Sequence, residues 1–353
     1  MTGVNSNYSF QGTSSLRARP DVSTAQEGRQ RLRAAGRFIL FKEAGPTKAW
    51  YGVLLLAAFT GWLGVVGYRT LASAGSVMAA LSSARGRTVG PLLIVFIAVI
   101  LLAERFWPAV PRPFLSRAHL VDAGYLAIFA IVVLPLLTLV ETGFAQEINR
   151  HASFLVLGRL SIVPQVLVSA LILIGIDAMN WGGHVANHRS LALWRLHALH
   201  HSQEDLSVLT TFRTHPLVHV SYLPSLFPAL ILGASGTVPA VAIVIYSCLI
   251  TLPHANLRWT FGPLGRVFVS PAYHRLHHAA SFLDDRGTVN FGFVLVCWDQ
   301  MIHRAAFPTG VPVATGISGR PVPIEQTGSL LGTPKVMLAQ LAQPFSVHSK
   351  TDG

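Results

Sequence analysis

Histidine is concentrated in one part of this sequence. The chain has 15 histidines, and eleven of them lie between residues 184 and 278. Nine follow short regular spacings: one pair four residues apart, two HxxHH triplets, and a single histidine before Ala-Asn. These nine are His184, His188, His197, His200, His201, His254, His274, His277 and His278. Because residues three and four apart share a helix face, each group can direct several imidazole nitrogens at one metal ion.

The set of donors indicates the kind of site. Imidazole nitrogen suits iron, zinc, copper and nickel, so the ligand type alone does not name the metal. Nine histidines exceed what one tetrahedral zinc can use, whereas two metals would use them all. The only acidic residues between His184 and His278 are Glu204 and Asp205. The Glu-x-x-His pattern of carboxylate-bridged di-iron bundles and the His-Glu-x-x-His helix of zinc peptidases are both absent from the sequence. We therefore predict a dinuclear site with histidine ligands.

The elements that must position these histidines are mostly apolar. Hydrophobic residues make up 51% of the sequence and charged residues only 12%, which argues against a soluble protein. Four uncharged runs approach the length that a helix needs to cross a bilayer. They are 51–66, 91–103, 123–140 and 160–176. We predict an all-α integral membrane protein with about four transmembrane helices.

A fifth apolar stretch, 220–253, is interrupted by GASGTVP at 233–239. Glycine and proline break a helix there, so we predict a helical hairpin that enters the bilayer and returns to the same side. One HxxHH triplet precedes this hairpin and the other follows it. Both triplets therefore lie on one side of the membrane and can converge in a histidine-rich helical cap.

The net charge of +12 is concentrated beside the apolar runs. Basic residues cluster in 29–48, before the first run, and in 105–117, between the second and third. The positive-inside tendency then places the amino terminus, and after four crossings the histidine cap, in the cytoplasm. We interpret these clusters as topology signals and not as a nucleic-acid surface. Cys248 and Cys297 show no zinc or redox spacing and are expected to be free thiols.

Longer motifs surround the histidine groups. In order they are DAMNWGGHVANH (177–188), LWRLHALHHS (193–202), RTHP (213–216), HANL (254–257), GPLGRVFVSPAYHRLHHA (262–279) and NFGFVLVCWDQM (290–301). This series resembles the membrane fatty acid hydroxylase and sterol desaturase superfamily. The HxxxH box and the two HxxHH boxes of that superfamily match the pair and the two triplets, and its isolated histidine matches His254.

The resemblance implies a non-haem di-iron centre, ligated by the nine histidines, that uses O2 to hydroxylate or desaturate a C–H bond of a lipid or sterol. The substrate would enter from the bilayer. A separate electron donor, either a b-type cytochrome or a ferredoxin with its reductase, would supply two electrons per turnover. The sequence has no haem or iron–sulfur cysteine pattern of its own.

Five further polar residues are candidates for extra ligands or for groups that orient a ligand. His215 and His219 are possible additional ligands. Asp177 either accepts a hydrogen bond from a ligand imidazole or is a helix-end charge facing water. Asn290 and Asp299 are expected to support the site from the NFG and WD motifs. Four histidines are expected to be ordinary loop residues: His119, His151, His303 and His348.

Composition divides the chain into four parts. We predict a flexible basic arm at 1–48 and transmembrane helices at 49–160. A fatty acid hydroxylase-like catalytic domain then covers 161–306, and a loosely structured tail with one helix near 336–341 covers 307–353.

Two alternative functions come from other classes. A histidine-rich metal-ion transporter would need ionisable residues inside its spans, and the four apolar runs have none. A zinc-dependent membrane hydrolase would need a glutamate base beside a histidine pair. The sequence leaves hydroxylation or desaturation, and the identity of the substrate, open.

Overall fold

The computed structural model describes most of the chain after residue 83. The described ranges are 84–112, 116–156, 164–232, 237–280, 289–308, 312–317, 322 and 333–346. Within them the chain is helical, and its only extended pairings are isolated bridges. The predicted basic arm, the first apolar run, the centre of the hairpin turn (233–236) and His348 lie outside the described residues.

Two helices are long and apolar enough to cross a membrane, by length and composition. The first, Arg117–His151, has 35 residues, and the second, Gln165–Arg189, has 25. They contain most of the third and fourth predicted runs. A five-residue π-helical turn, Phe129–Val133, divides the first helix. The α-helices up to this point are α1 (Ala84–Phe106), α2 (Arg117–Ile128), α3 (Leu134–His151) and α4 (Gln165–Arg189).

The remaining helices are shorter than these two candidate spans, and two of them carry the HxxHH triplets. They are α5 (Leu191–His201), α6 (Phe227–Leu232), α7 (Thr237–Thr251), α8 (Pro271–His277), α9 (Cys297–Met301) and α10 (Thr333–Ala342). The triplet helices α5 and α8 each begin at a serine. Ser190 accepts a hydrogen bond from Leu193 N, and Ser270 accepts one from Tyr273 N. These caps satisfy backbone donors that a helix start leaves free, so they help to fix where each triplet helix begins.

The predicted hairpin consists of two arms that pack on α4. The first arm is a 3₁₀-helix, Pro216–Leu226, followed by α6, and the second arm is α7. Pro216 stands at the start of the first arm, and Pro224 lies inside it, where the missing N–H removes one backbone hydrogen bond. Residues of both arms lie in one apolar cluster with the inward face of α4.

Gly183 allows the first arm to approach α4 closely. A Cβ atom at this position would lie 2.5 Å from Ser221 O and 2.9 Å from the Tyr222 ring. Only glycine fits such a contact, and it directly precedes His184.

Part of the carboxyl-terminal tail packs against the helices. The helix predicted near 336–341 is present as α10. Gln340 on this helix is fully buried and accepts a hydrogen bond from Tyr125 of α2 at 3.0 Å. The expectation of loose structure does not describe this segment, because a buried tyrosine hydroxyl needs a partner and α10 provides it. Cys248 and Cys297 are free thiols, as predicted.

Candidate metal centre

The structure brings all nine predicted histidines together in two buried groups. Within each group the ligand nitrogens lie within 4.8 Å of one another. The first group contains five histidines: His184, His188, His197, His201 and His277. The second group contains four: His200, His254, His274 and His278.

Each HxxHH triplet supplies both groups. In α5, His197 and His201 belong to the first group and His200 to the second. In the second triplet the assignment is reversed, with His277 alone in the first group. A helix turns by about 100° per residue, so the fourth residue after the first lies about 40° to one side of it and the third about 60° to the other. Each triplet therefore spans both groups, and the His201 and His278 rings stack 4.3 Å apart, centroid to centroid.

The Nε2 atoms within each group face one another. His201 Nε2 lies 3.1 Å from His188 Nε2 and 3.2 Å from His197 Nε2. In the second group, His254 Nε2 lies 3.0 Å from both His200 Nε2 and His274 Nε2. Burial lowers the pKa of His200 to about 3 and the pKa values of His197 and His201 well below their usual value. These imidazoles are neutral at pH 7, so their lone pairs are available to a cation.

Hydrogen bonds on the far side of several rings set which nitrogen faces inward. His184 Nδ1 donates to Phe291 O at 2.8 Å, and His277 Nδ1 donates to Val289 O at 2.7 Å. His254 Nδ1 donates to Thr211 Oγ1 at 3.0 Å. Backbone carbonyls and hydroxyls in this position fix the tautomer of a metal ligand.

The hydrogen bonding of one buried nitrogen atom indicates whether the residues fit a metal ion. Because its Nδ1 carries the proton, His277 Nε2 is an acceptor, and it has no hydrogen-bond partner among the described residues. A buried acceptor without a partner is costly, and a metal in the first group would satisfy it. The all-imidazole donor set and this nitrogen both fit a transition-metal ion.

Asp177 has neither of the two roles expected from the sequence. It is 1% exposed, so it does not face water. Its carboxylate accepts hydrogen bonds from Val294 N, Leu295 N and Trp298 Nε1, and among the described residues no histidine is a partner. The reason is that residues 290–301 run beside α4 without regular secondary structure over most of their length, and their buried amides need acceptors.

The Asp299 carboxylate contacts the backbone and side chains beside the site, and none of the nine histidines is among its partners in the described residues. The carboxylate accepts hydrogen bonds from Phe291 N, Trp181 Nε1 and the Tyr273 hydroxyl, each at 3.0 Å. Phe291 is the residue whose carbonyl accepts from His184. The hydrogen bonds of Asp299 therefore connect α4 and α8 to the residue whose carbonyl orients His184.

Asn290 has a structural role. Its amide nitrogen donates to Tyr273 O and Ala306 O, and its amide oxygen accepts from Ala306 N. Its φ of 61° lies in the left-handed region that asparagine tolerates better than most residues.

His215 and His219 lie outside both groups. His215 accepts from Leu217 N through Nδ1, and its Nε2 lies 3.2 Å from Leu341 O. His219 Nε2 lies 3.2 Å from Thr214 Oγ1. Both side chains therefore have hydrogen-bond partners outside the two histidine groups. Neither His215 nor His219 is grouped with the nine candidate ligands.

The four histidines expected in loops differ from one another. His119 is buried in the first turn of α2, where it completes a capping box with Ser116, so the loop prediction was wrong for it. His151 ends α3 and lies near Glu147. His303 is exposed after α9.

Sequence reasoning missed a buried ion pair beside the site. Asp122 of α2 and Arg213 of the RTHP motif are both fully buried, with Nη1 and Oδ1 3.1 Å apart. Gln203 and Thr210 also donate to the Asp122 carboxylate. Arg213 Nε donates to Leu199 O at 3.3 Å, so the pair links α2 to the end of α5. The available signal was that Asp122 is the only acidic residue in 105–140.

Glu104 at the end of α1 makes a comparable link. It is 7% exposed, and its carboxylate accepts from Val208 N at 2.8 Å and from Asn256 N at 2.9 Å. Because the segments around 208 and 256 flank His200 and His254, this carboxylate connects α1 to the second group.

Comparison with known proteins gives a consistent assignment. The family model described as fatty acid hydroxylase matches residues 169–303. The ornithine lipid hydroxylase of Rhizobium tropici is 32% identical over 188 residues, which cover 50% of this chain and 50% of that protein. The alkylglycerol monooxygenase of Caenorhabditis elegans is 30% identical over 131 residues, 36% of this chain and 25% of that protein. The human alkylglycerol monooxygenase is 28% identical over 133 residues, 36% and 28% of the two chains.

The chain therefore spans about half of the first relative and about a quarter of the second and third. No solved structure matches it. The family match contains all nine grouped histidines and both carboxylates, Asp177 and Asp299, that hold the surrounding backbone. The match to the fatty acid hydroxylase model is thus confined to residues 169–303, the part of the chain that holds both histidine groups.

Proposed function

We propose that this protein is a membrane-bound non-haem di-iron oxygenase that hydroxylates a C–H bond of a lipid. The observation that carries the proposal is the pair of buried all-histidine groups within the segment that matches the fatty acid hydroxylase family. Five histidines would hold one iron ion and four the other. The reaction would consume O2 and two electrons from a separate donor.

Iron would supply the oxidising power that an unactivated methylene requires, since no acid, base or nucleophile of the chain can attack such a bond. The side chains have three tasks. The histidines would bind the metal through Nε2, the carbonyls of Phe291 and Val289 would orient two of them, and burial would exclude water from the site. The Phe291 ring lies 5.3 Å from the His188 ring and provides an apolar wall beside the first group.

Hydroxylation is favoured over desaturation by the relatives. One is named as a lipid hydroxylase and the others as alkylglycerol monooxygenases, and both names describe insertion of oxygen. We extend this to a polar membrane lipid as the substrate class. A multi-pass chain with the histidine groups on the cytoplasmic side would let the lipid reach the site from the bilayer and the electron donor from the cytoplasm.

The two alternatives fit less well. Neither histidine group includes a carboxylate that would act as the base of a zinc hydrolase. The buried carboxylate of Asp122 is occupied by Arg213, Gln203 and Thr210, so it is a structural group and not part of an ion path.

The decisive experiment counts metals in detergent-purified protein from iron-supplied cells, by plasma mass spectrometry with zinc measured alongside. We expect close to two irons per chain, with losses in His197→Ala and in His278→Ala. The matched control is His219→Ala, which removes a neighbouring histidine outside both groups and should retain its iron. Full iron content in the first two variants would refute the ligand assignment.

Product analysis completes the test. Membranes with a reconstituted electron donor should convert a lipid to a product with one added oxygen atom, as detected by lipid mass spectrometry. Products with a new double bond and no added oxygen would instead establish a desaturase.

A further inference from the structure

Two segments beside the metal centre expose large apolar side chains that the proposed reaction does not use. They are 258–268, after His254, and 300–307, after Asp299. Seven such side chains are between 37% and 72% exposed. They are Trp259, Leu264, Val267, Phe268, Met301, Ile302 and Phe307. We call these seven residues, together with Arg258 and Arg266, the apolar face.

The two segments form one continuous surface. Phe268 and Leu295 pair in an antiparallel bridge, and Val296 N donates to Val267 O at 2.9 Å. Gln300 Nε2 donates to Arg266 O at 3.2 Å. The Arg266 guanidinium lies 5.7 Å from the centre of the Phe307 ring, which joins the far ends of the segments.

The apolar face is anchored near the middle of α4. Asp177 binds the amides of Val294 and Leu295, directly beside the bridge to Phe268. Asp177 is twelve residues into α4, about 18 Å from its start at 1.5 Å per residue. The half of α4 before Asp177 exposes apolar side chains, including Val166 at 65%, and the half after it carries buried histidines. The apolar face thus lies at the depth where α4 changes from an exposed apolar surface to a buried site.

The charged residues of the apolar face are both positive. Arg258 and Arg266 are exposed, and 258–268 and 300–307 contain no acidic residue. The neighbouring Asp299 is fully buried and binds backbone amides. Aromatic and aliphatic side chains beside arginines are the composition of a surface that inserts among anionic lipid headgroups. A soluble acidic partner would be matched by more cations and fewer exposed aliphatic side chains than these.

We propose that the apolar face is embedded at the boundary between headgroups and acyl chains, with Arg258 and Arg266 at the level of the lipid phosphates. This contact would hold the metal centre against the bilayer, so that a lipid tail reaches it without crossing water. The inference rests on the membrane location in the proposed function, but not on the metal or on the reaction.

Spin-label accessibility tests this proposal in the full chain reconstituted into phosphatidylcholine bilayers that contain phosphatidylglycerol. Cys248 and Cys297 are first replaced by serine. Single cysteines then replace Leu264 and Met301 in the apolar face, Leu171 as the reference for lipid exposure, and Asp205 as the reference for water exposure; all four positions are exposed. Power saturation compares collisions with O2, which concentrates in lipid, and with a water-soluble nickel chelate.

We expect O2 collisions to exceed nickel collisions at 264 and 301, as at 171, and the opposite at 205. Adding Arg258→Gln and Arg266→Gln should reduce the ratio of O2 to nickel collisions at 264 and 301 in anionic bilayers and leave it unchanged in pure phosphatidylcholine. Nickel collisions in excess at both positions would overturn the proposal and leave the face for a soluble partner. Low collision rates with both reagents would also overturn it, because another protein segment or a second copy would then cover the face.

Failure of this proposal can be distinguished from failure of the proposed function. A protein without iron or turnover that still shows lipid exposure at 264 and 301 would retain this inference and lose the oxygenase. Water exposure at 171 as well would remove the membrane location on which both depend.

Discussion

At the residue scale, the position of a histidine within its box determines the group that it joins. The first and last histidines of each HxxHH triplet stay together, and the middle one joins the opposite group. Adjacent residues such as His200 and His201 thus serve different groups, because successive side chains on a helix point about 100° apart. The residues that orient them are carbonyls and carboxylates drawn from other parts of the chain.

We expect Asp299→Asn to reduce bound iron and turnover together, by about 10- to 100-fold in metal affinity or activity, as for other residues that support a ligand. An asparagine amide presents N–H groups to donors such as Phe291 N and Trp181 Nε1, so at least one bond is lost. Iron titration of the metal-free protein measures the effect. The exposed neighbour Gln300→Ala should behave as the parent, and full iron affinity in Asp299→Asn would contradict its positioning role.

The metal-free protein should lose stability as pH falls. Burial lowers the pKa of His200 from 6.5 to about 3, so below pH 6.5 the unfolded chain binds a proton that the folded chain does not. The effect of His200 on the free energy of unfolding is absent above pH 6.5, and it becomes increasingly destabilising as the pH falls towards 3. Melting temperatures measured between pH 7 and pH 4 should decline, and less steeply in His200→Gln. An equal decline in both proteins would show that His200 does not control it.

At the element scale, α4 and the first arm of the hairpin meet without room for a side chain at Gly183. We expect Gly183→Ala to destabilise the protein by about 1–3 kcal/mol, the usual cost of overpacking. The control is the adjacent Gly182→Ala, where a Cβ would meet nothing within 4 Å. Because alanine favours a helix over glycine, that variant should be neutral or more stable. Thermal unfolding in detergent compares the two, and equal melting temperatures would refute the close approach.

The ion pair between Asp122 and Arg213 joins α2 to the end of α5. Asp122→Ala should lower the free energy of unfolding by about 3–5 kcal/mol, because it leaves a buried guanidinium unpaired. The double variant Asp122→Leu with Arg213→Met should be less destabilised than the single one, since it leaves no buried charge. Denaturant unfolding measures both free energies.

A surface ion pair provides the control for that comparison. Arg150 and Glu147 in α3 lie 3.2 Å apart, with the arginine side chain 60% exposed. Arg150→Ala should change the free energy of unfolding by less than about 1 kcal/mol. A similar decrease in the free energy of unfolding in Asp122→Ala and Arg150→Ala would show that burial does not make the inner ion pair more important for stability.

At the scale of the whole molecule, the proposed topology returns both triplets to one side of the membrane. α2 and α3 together form one candidate span and α4 the next. Exposed residues before and after α4 should therefore face opposite compartments, while the segments that follow the two triplets face the same one. Thr315 Oγ1 donates to Glu204 O at 2.6 Å, which already places those two segments side by side.

Cysteine labelling with a membrane-impermeant maleimide tests this arrangement, in a chain whose own cysteines are serine. Asp205→Cys and Ala314→Cys should react in inside-out vesicles and not in intact cells. Ser153→Cys, in the exposed 3₁₀ turn after α3, should show the reverse pattern. Labelling of all three from the same side would refute the crossing of α4.

Much of the site could be predicted from the sequence because the patterns that indicate it lie within short stretches of the chain. Spacing within a helix determines which imidazoles share a face, so the nine candidate ligands, two of the four predicted spans and the helix near 336–341 follow from short stretches of chain. The sequence by itself thus determined which histidines can share a helix face. The roles of Asp177 and His119 could not be obtained in this way, because both depend on what packs against them.

Only the tertiary structure decided how the nine histidines divide into five and four, and what supports them. That division depends on how the two triplet helices are oriented relative to each other, and packing between distant segments sets this orientation. Arg213 meets a carboxylate 91 positions away, and Asp177 meets an amide 117 positions away. No local pattern encodes such partners, because a buried charge or amide is satisfied by whichever element the fold brings to it.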